Sequence, residues 1–130
     1  MKILGLGVDI VKNKRIETLL KNKIFITRTF GKKEIKSAKN ISNKINFFAK
    51  RFAAKEAFAK ALGTGFRNKL NFKDIEILND KMGKPYYLKS NKINNIIVKR
   101  FKIKKYNLFL SISDEKDYSI AFTILQNRSC

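Results

Sequence analysis

Apolar and polar residues alternate at the start of the chain. Residues 2–10 read as a strand, with Ile3, Gly5, Gly7 and Asp9 on one face and Leu4, Leu6, Val8 and Ile10 on the other. The period then lengthens, and Ile16, Leu19 and Leu20 form the apolar stripe of a short helix from Val11 to about Leu20. Over 21–42 the order is harder to read: Phe25, Ile26 and Phe30 alternate with basic residues, and a helix is expected over 32–39. The clearest helix runs from about Ser42 to Leu62. There Ile45, Phe48, Ala49, Phe52, Ala53 and Ala57 recur at helical spacing, and Gly63 supplies a stop. The segment Phe72–Leu78 reads as a strand, 79–84 as a turn and Pro85–Leu88 as a returning strand. A further helix is predicted over 91–102 through Ile93, Ile96, Ile97 and Phe101. Two final strands, Leu108–Ser113 and Tyr118–Leu125, flank the polar turn 114–117. The pattern predicts one α+β domain over 1–130, with a mostly antiparallel sheet and one long helix plus shorter ones.

Composition agrees with a packed domain, since 44% of the residues are hydrophobic and 11 are Phe. The lone Cys130 has no partner within the chain, which excludes an internal disulfide framework and suits a reducing cytoplasm. A carboxylate interrupts the only apolar N-terminal run, so no secretory signal is expected, and no stretch is long enough to span a membrane. A cytoplasmic protein is the expectation. The charge is extreme, 30 basic against 10 acidic residues for a net +20. Such a field attracts polyanions of several kinds. The excess is Lys, travelling with abundant Asn and Ile as AT-rich codon usage would produce, so charge alone names no partner.

Two carboxylates carry the candidate chemistry. Asp9 closes the first strand, and by itself it reads first as the cap of the following helix. Glu56 falls near the middle of the apolar face of the 42–62 helix, where a carboxylate must be paired, protonated or metal-bound. Lys60, four residues on, is the available salt-bridge partner, so bridge and metal ligand both stand. One carboxylate from a strand and one from a helix suit a hard cation such as Mg2+. No histidine is present, which argues against zinc and removes Ser-His-Asp and Cys-His schemes. Gly5-Leu6-Gly7 lacks the third glycine of a dinucleotide fingerprint. Arg51, Lys55 and Lys60 beside Gly63-Thr64-Gly65, and Lys84 within Gly83-Lys84-Pro85, have the makings of phosphate contacts, or of a solvated helix flank and an ordinary turn.

Taken in order, Gly7-Val-Asp9-Ile, Arg15-Ile-Glu17, the run Arg51-Phe-Ala-Ala-Lys55-Glu56-Ala-Phe-Ala-Lys60-Ala-Leu-Gly63-Thr-Gly65, then Asn79-Asp80, Gly83-Lys84-Pro85 and Leu110-Ser-Ile-Ser113 resemble the holo-acyl-carrier-protein synthase family. The resemblance covers nearly the whole chain. It implies the 4′-phosphopantetheinyl transferase fold, a homotrimer, and transfer of phosphopantetheine from coenzyme A to a serine of an acidic acyl carrier protein in support of fatty acid biosynthesis. It implies Asp9 and Glu56 as magnesium ligands, with Glu56 and Lys60 catalytic. It places Arg51, Lys55, Lys60, Gly63, Gly65, Lys84 and Pro85 at the coenzyme A site, and Arg15, Phe25 and Arg28 where the carrier protein docks. Phe109 and Asp114 stand where the family commonly carries histidines, which puts one phosphate or adenylate contact in question and leaves the metal ligands untouched. The rival from another class is a small basic nucleic-acid-binding protein, supported by the charge and by Phe/Lys segments such as 24–33 but lacking a recognised module. A non-catalytic scaffold derived from the family is the third reading, motivated by Phe109.

Overall fold

The computed structural model describes residues 2–63 and 70–128. Three antiparallel strands form the main sheet in the order β1-β5-β4: β1 (Lys2–Lys12), β4 (Tyr106–Asp114) and β5 (Tyr118–Asn127). A two-stranded ladder of β2 (Ile77–Asn79) and β3 (Pro85–Tyr87) lies beside β4. The inner face of the sheet packs on α4 (Lys44–Leu62), which the shorter helices α1 (Asn13–Leu19), α2 (Lys23–Thr29), α3 (Lys32–Ala38) and α5 (Asn91–Phe101) help to enclose. The α+β, mostly antiparallel expectation matches this architecture.

The long helix starts at Lys44 because the Asn43 side chain accepts from the Asn46 N–H, and it ends where Gly63 takes φ 78°, a left-handed cap that suits glycine. The sequence pattern assigned α4 one apolar stripe. In the fold it is buried on nearly every side, with Phe47, Ala54, Phe58, Ala59 and Ala61 buried beyond the expected set.

β1 reaches Lys12, paired with Tyr118, so Val11 and Lys12 belong to the strand and not to the helix predicted from Val11. The N-cap of α1 is therefore Lys12, and Asp9 caps nothing. The helix α2 went unread because its apolar residues Phe25 and Ile26 sit within a basic run. The predicted strand 72–78 begins only at Ile77. Before it, Phe72–Asp74 is a 3-10 turn closed by Asn71 N–H donating to the Asp74 carboxylate, and the carbonyls of Phe72 and Ile75 accept from Lys55 instead of a neighbouring strand.

The glycine face of β1 points inward. A Cβ on Gly5 would overlap the carbonyl oxygen of Ala61, and one on Gly7 that of Ala57, so strand and helix touch backbone to backbone. The apolar face points outward. Across the sheet, Phe109–Ile124–Leu6, Ser111–Phe122–Val8 and Ser113–Ile120–Ile10 form adjacent rows. Leu6, Val8, Ile10, Phe109, Ile120 and Phe122 are each 39–59% exposed.

Candidate active site

The close packing of β1 on α4 sets the geometry. Two residues of strand advance about 6.8 Å and four of helix about 6 Å, so the contacts Gly5–Ala61 and Gly7–Ala57 are nearly commensurate. The next step along β1 is Asp9, brought to the turn of α4 that carries Glu56. Lys60 lies one turn further along the same helix face and donates to Asp9 Oδ1 at 3.2 Å and to the Val8 carbonyl at 2.9 Å. The expected Lys60 pairing is therefore made with Asp9 and not with Glu56.

Glu56 is half-buried. Burial first, and the Asp9 charge second, hold its carboxyl above the usual carboxylate range, against the opposing pull of Lys60 and Arg15. Two carboxylates close enough to influence each other thus lie beside one lysine, which pairs directly with Asp9. Arg15, expected on a docking face, is exposed, lies over the Phe52 ring at 5.8 Å and also acts on Glu56. Among the described residues no group of three or more acidic, His or Cys side chains gathers as a metal cage.

The remaining basic candidates divide. Lys55 is fully buried, and its ammonium bonds Glu34 Oε1 at 2.7 Å, the Phe72 carbonyl at 3.0 Å and the Ile75 carbonyl. All three of its donors are occupied, so Lys55 is a structural pin and the coenzyme A contact expected of it is corrected. Arg51 is also buried rather than on a solvated flank. It donates to Ile77 O at 3.2 Å, Phe47 O at 3.2 Å and Asn79 Oδ1 at 2.5 Å, and its guanidinium covers the Phe47 ring at 3.6 Å. Burial lowers its pKa to about 10, with the Glu34 charge opposing that shift. Arg51 still lines a cavity of about 490 Å3 with Lys50, Asn46, Asn79 and Tyr86, so it can border a ligand.

Lys60, Gly63 and Lys84 are exposed and Pro85 is half-buried on β3, while Gly65 and Cys130 lie outside the described residues. Lys84 sits on the 80–85 turn, which the Asp80 carboxylate organises by accepting from the Met82 and Lys84 N–H groups. Arg28 is exposed, and Phe25 packs against Phe30 and Phe52 with ring centroids 6.1 and 6.2 Å away, so half of it serves the core.

Two residues escaped the sequence reading. Glu34 is the buried partner of Lys55 and also accepts from the Gly31 and Ile77 N–H groups; its position in a Lys-rich helix gave no sign of burial. Asn13 anchors the 114–117 turn through the carbonyls of Glu115 and Lys116 and the Ser119 hydroxyl. Asp114 accepts from Asn46 at 2.5 Å and borders a cavity of about 550 Å3 between α1, the start of α4 and that turn. Phe109 lies on the outer sheet face.

The sequence profile of the 4′-phosphopantetheinyl transferase superfamily matches residues 5–123. A holo-[acyl-carrier-protein] synthase of Pelagibacter ubique is 62% identical over 128 residues, covering 98% of this chain and all of that protein. Among solved structures, the holo-[acyl-carrier-protein] synthase of Neisseria meningitidis superposes with a TM-score of 0.87 at 38% identity, covering 97% of this chain and 100% of that one. The Bacillus anthracis holo-(acyl-carrier-protein) synthase in complex with CoA (3′,5′-ADP) gives 0.80 at 36% identity, covering 96% and 97%.

Proposed function

This chain belongs to the 4′-phosphopantetheinyl transferase superfamily and transfers phosphopantetheine from coenzyme A to apo acyl carrier protein, and we propose that it does so at the Asp9–Glu56 pair with a bound Mg2+. The observation that carries the proposed site is that Asp9 lies near enough to Glu56 for its charge to help raise the Glu56 carboxyl, while among the described residues Lys60 pairs directly with Asp9 and not with Glu56. Hard oxygen donors short of positive charge fit magnesium, which takes one or two carboxylates and completes its shell with water and phosphate oxygens. Asp9 and Glu56 would hold the ion, and when bound it supplies neutralisation of the diphosphate charge.

The chain's own groups supply the rest. Glu56, whose carboxyl is held above the usual carboxylate range by burial and by the Asp9 charge, accepts the proton of the carrier serine hydroxyl. The serine oxygen forms a bond to the phosphorus that bears pantetheine, the bond from that phosphorus to the bridging oxygen breaks, and adenosine 3′,5′-bisphosphate leaves with the electron pair. Lys60, exposed beside Asp9, contributes fixed positive charge to the phosphoryl oxygens. Arg51, which lines the cavity of about 490 Å3, Lys84, Pro85, and Gly63 at the end of α4 are the groups assigned to coenzyme A in this reading. The +20 charge draws an acidic carrier protein toward Arg15, Phe25 and Arg28.

A homotrimer and a cytoplasmic location belong to the same proposal. The outward rows of Leu6, Val8, Ile10, Phe109, Ile120 and Phe122 form an apolar patch of the kind that copies of a chain cover when they assemble. Phe109 is thereby given a packing role in place of the missing histidine. Among the described residues no helix is long and apolar enough to cross a membrane.

Purified chain mixed with coenzyme A, Mg2+ and apo carrier protein should add a phosphopantetheine mass to the carrier. Glu56→Gln should slow that transfer by about 10²–10⁴-fold without changing the circular dichroism spectrum. A variant as fast as the parent would remove Glu56 from the chemistry.

A further inference from the structure

The groups assigned to coenzyme A come from separate elements. Arg51 stands on α4, whereas Lys84 and Pro85 follow the turn between β2 and β3. That turn has little to hold it in place. The ladder beneath it is three pairs long, with Asn79 opposite Pro85 at its end, and a two-stranded hairpin is marginal without support. Among the described residues, the Asp80 N–H donates to the Lys84 carbonyl and the Gly83 N–H to the Asp80 carbonyl, while the Asp80 carboxylate accepts from the Met82 and Lys84 N–H groups. All of these bonds stay within the hairpin. Met82 at the tip is 92% exposed, so burial does not fasten it either.

One exposed side chain joins the turn to the helix. Asn79 Oδ1 accepts from the Arg51 guanidinium at 2.5 Å, and Asn79 Nδ2 donates to the Gly83 carbonyl at 2.8 Å. A guanidinium can only donate and a carbonyl can only accept, so the bridge needs an acceptor and a donor on one short side chain. A carboxamide has both, and a carboxylate has no donor. The choice also matters for charge. Arg51 donates otherwise to the carbonyls of Ile77 and Phe47, so its hydrogen-bond acceptors are all neutral, and among the described residues no carboxylate pairs with it directly. Asn79 therefore fixes the guanidinium without cancelling its charge, at the wall of the 490 Å3 cavity that Asn79 and Tyr86 also line.

We propose, resting on the reading that Arg51, Lys84 and Pro85 serve coenzyme A, that Asn79 is a positioning residue which couples the Lys84 turn to the Arg51 guanidinium, so that both arms of the coenzyme A site are set before the ligand arrives. A turn that had to be ordered on binding would draw on the binding free energy, so the coupling acts on affinity for coenzyme A. The transfer step at Asp9 and Glu56 is left alone.

A double-mutant cycle of Asn79→Ala and Lys84→Met tests this in the full chain, read by calorimetric titration with coenzyme A and by transfer kinetics with Mg2+ and apo carrier protein. Lys84→Met should weaken coenzyme A by about fivefold or more in the parent and by less than about twofold once Asn79 is replaced, because a loosened turn no longer presents the lysine. Asn79→Ala alone should raise KM for coenzyme A by about tenfold, with kcat and KM for the carrier protein within about twofold of the parent. A merely structural asparagine would lower the melting temperature and leave the Lys84 contribution whole. Asn79→Asp keeps the acceptor for Arg51 and loses the donor to Gly83; it takes the place of the alanine variant if that chain does not fold, with the same small Lys84→Met effect expected. Equal losses from Lys84→Met in both backgrounds overturn the coupling. So does an Asn79→Ala chain that binds coenzyme A like the parent, or one that loses kcat alone. If Lys84→Met changes nothing even in the parent, the assignment of coenzyme A to this turn falls, and the coupling falls with it.

Discussion

Two lysines of α4, Lys55 and Lys60, each meet a carboxylate from another element, and the two meetings are opposites. Five residues apart, they point about 140° away from each other around the helix. Lys55 meets Glu34 in complete burial, one charge against one, with every ammonium donor and both carboxylate oxygens bonded. Lys60 meets Asp9 at a 3.2 Å contact open to solvent, with Glu56 adding a second carboxylate that has no lysine of its own among the described residues. The balanced pair holds α3, α4 and the approach to β2 together. The unbalanced one leaves a charge for an incoming ligand to complete. In this chain a closed account of donors and acceptors marks architecture, and an open one marks chemistry.

The contrast is sharpest in stability. Lys55→Met or Glu34→Gln alone leaves an uncompensated group in the interior and should cost about 3–5 kcal/mol in denaturant unfolding. Replacing both with apolar residues should restore much of that loss. Lys60→Met should cost at most about 1 kcal/mol, because its pair is exposed, and yet slow the transfer about 10²–10³-fold. If Lys60→Met unfolds the chain and Lys55→Met does not, the division is reversed.

A smaller loss is expected at the seam that brings the open pair together. Gly7→Ala pushes a methyl into the Ala57 carbonyl, and parting β1 from α4 should cost about 1–3 kcal/mol. Transfer should fall along with it, because Asp9 lies two residues further on the same face. Activity retained at the parent level would detach the proposed catalytic pair from the glycine contact.

The smallest effect is a gain. The Glu56 carboxyl is raised in the folded chain by burial and by Asp9, so its ionisation opposes folding, and that penalty develops as pH rises above the ordinary carboxylate value of 4.5. Glu56→Gln should therefore melt above the parent at neutral pH, with the gap closing as pH falls toward 4.5 and absent below it. A constant gap across that range would mean that charge is not its source.

The sequence carried the period of α4, the alternation of β1 and the hairpin of β2 and β3, because each depends on neighbours close in the chain. It also singled out Glu56, through the improbability of a carboxylate on an apolar face, whereas Asp9 stood out only through the family resemblance. It could not show that α4 is enclosed all round, and so Arg51 and Lys55 read as solvated when one is held by carbonyls and Asn79 and the other by Glu34. Nor could alternation say which side of β1 faces inward. The bulkier side, Leu6, Val8 and Ile10, is turned out, because only glycines permit the strand to lie against Ala57 and Ala61. Such facts belong to partners distant in sequence.

The strand order β1-β5-β4 leaves β1 bonded within the sheet to β5 alone. During synthesis Asp9 leaves the ribosome early and Glu56 some way behind it, but the strand that pairs with β1 is the last one described. Ladders between segments so distant close late, after local helices have formed. A nascent chain would therefore carry both proposed metal ligands without a fixed seat for the first, and competence for catalysis would arrive in one step, with the docking of β5.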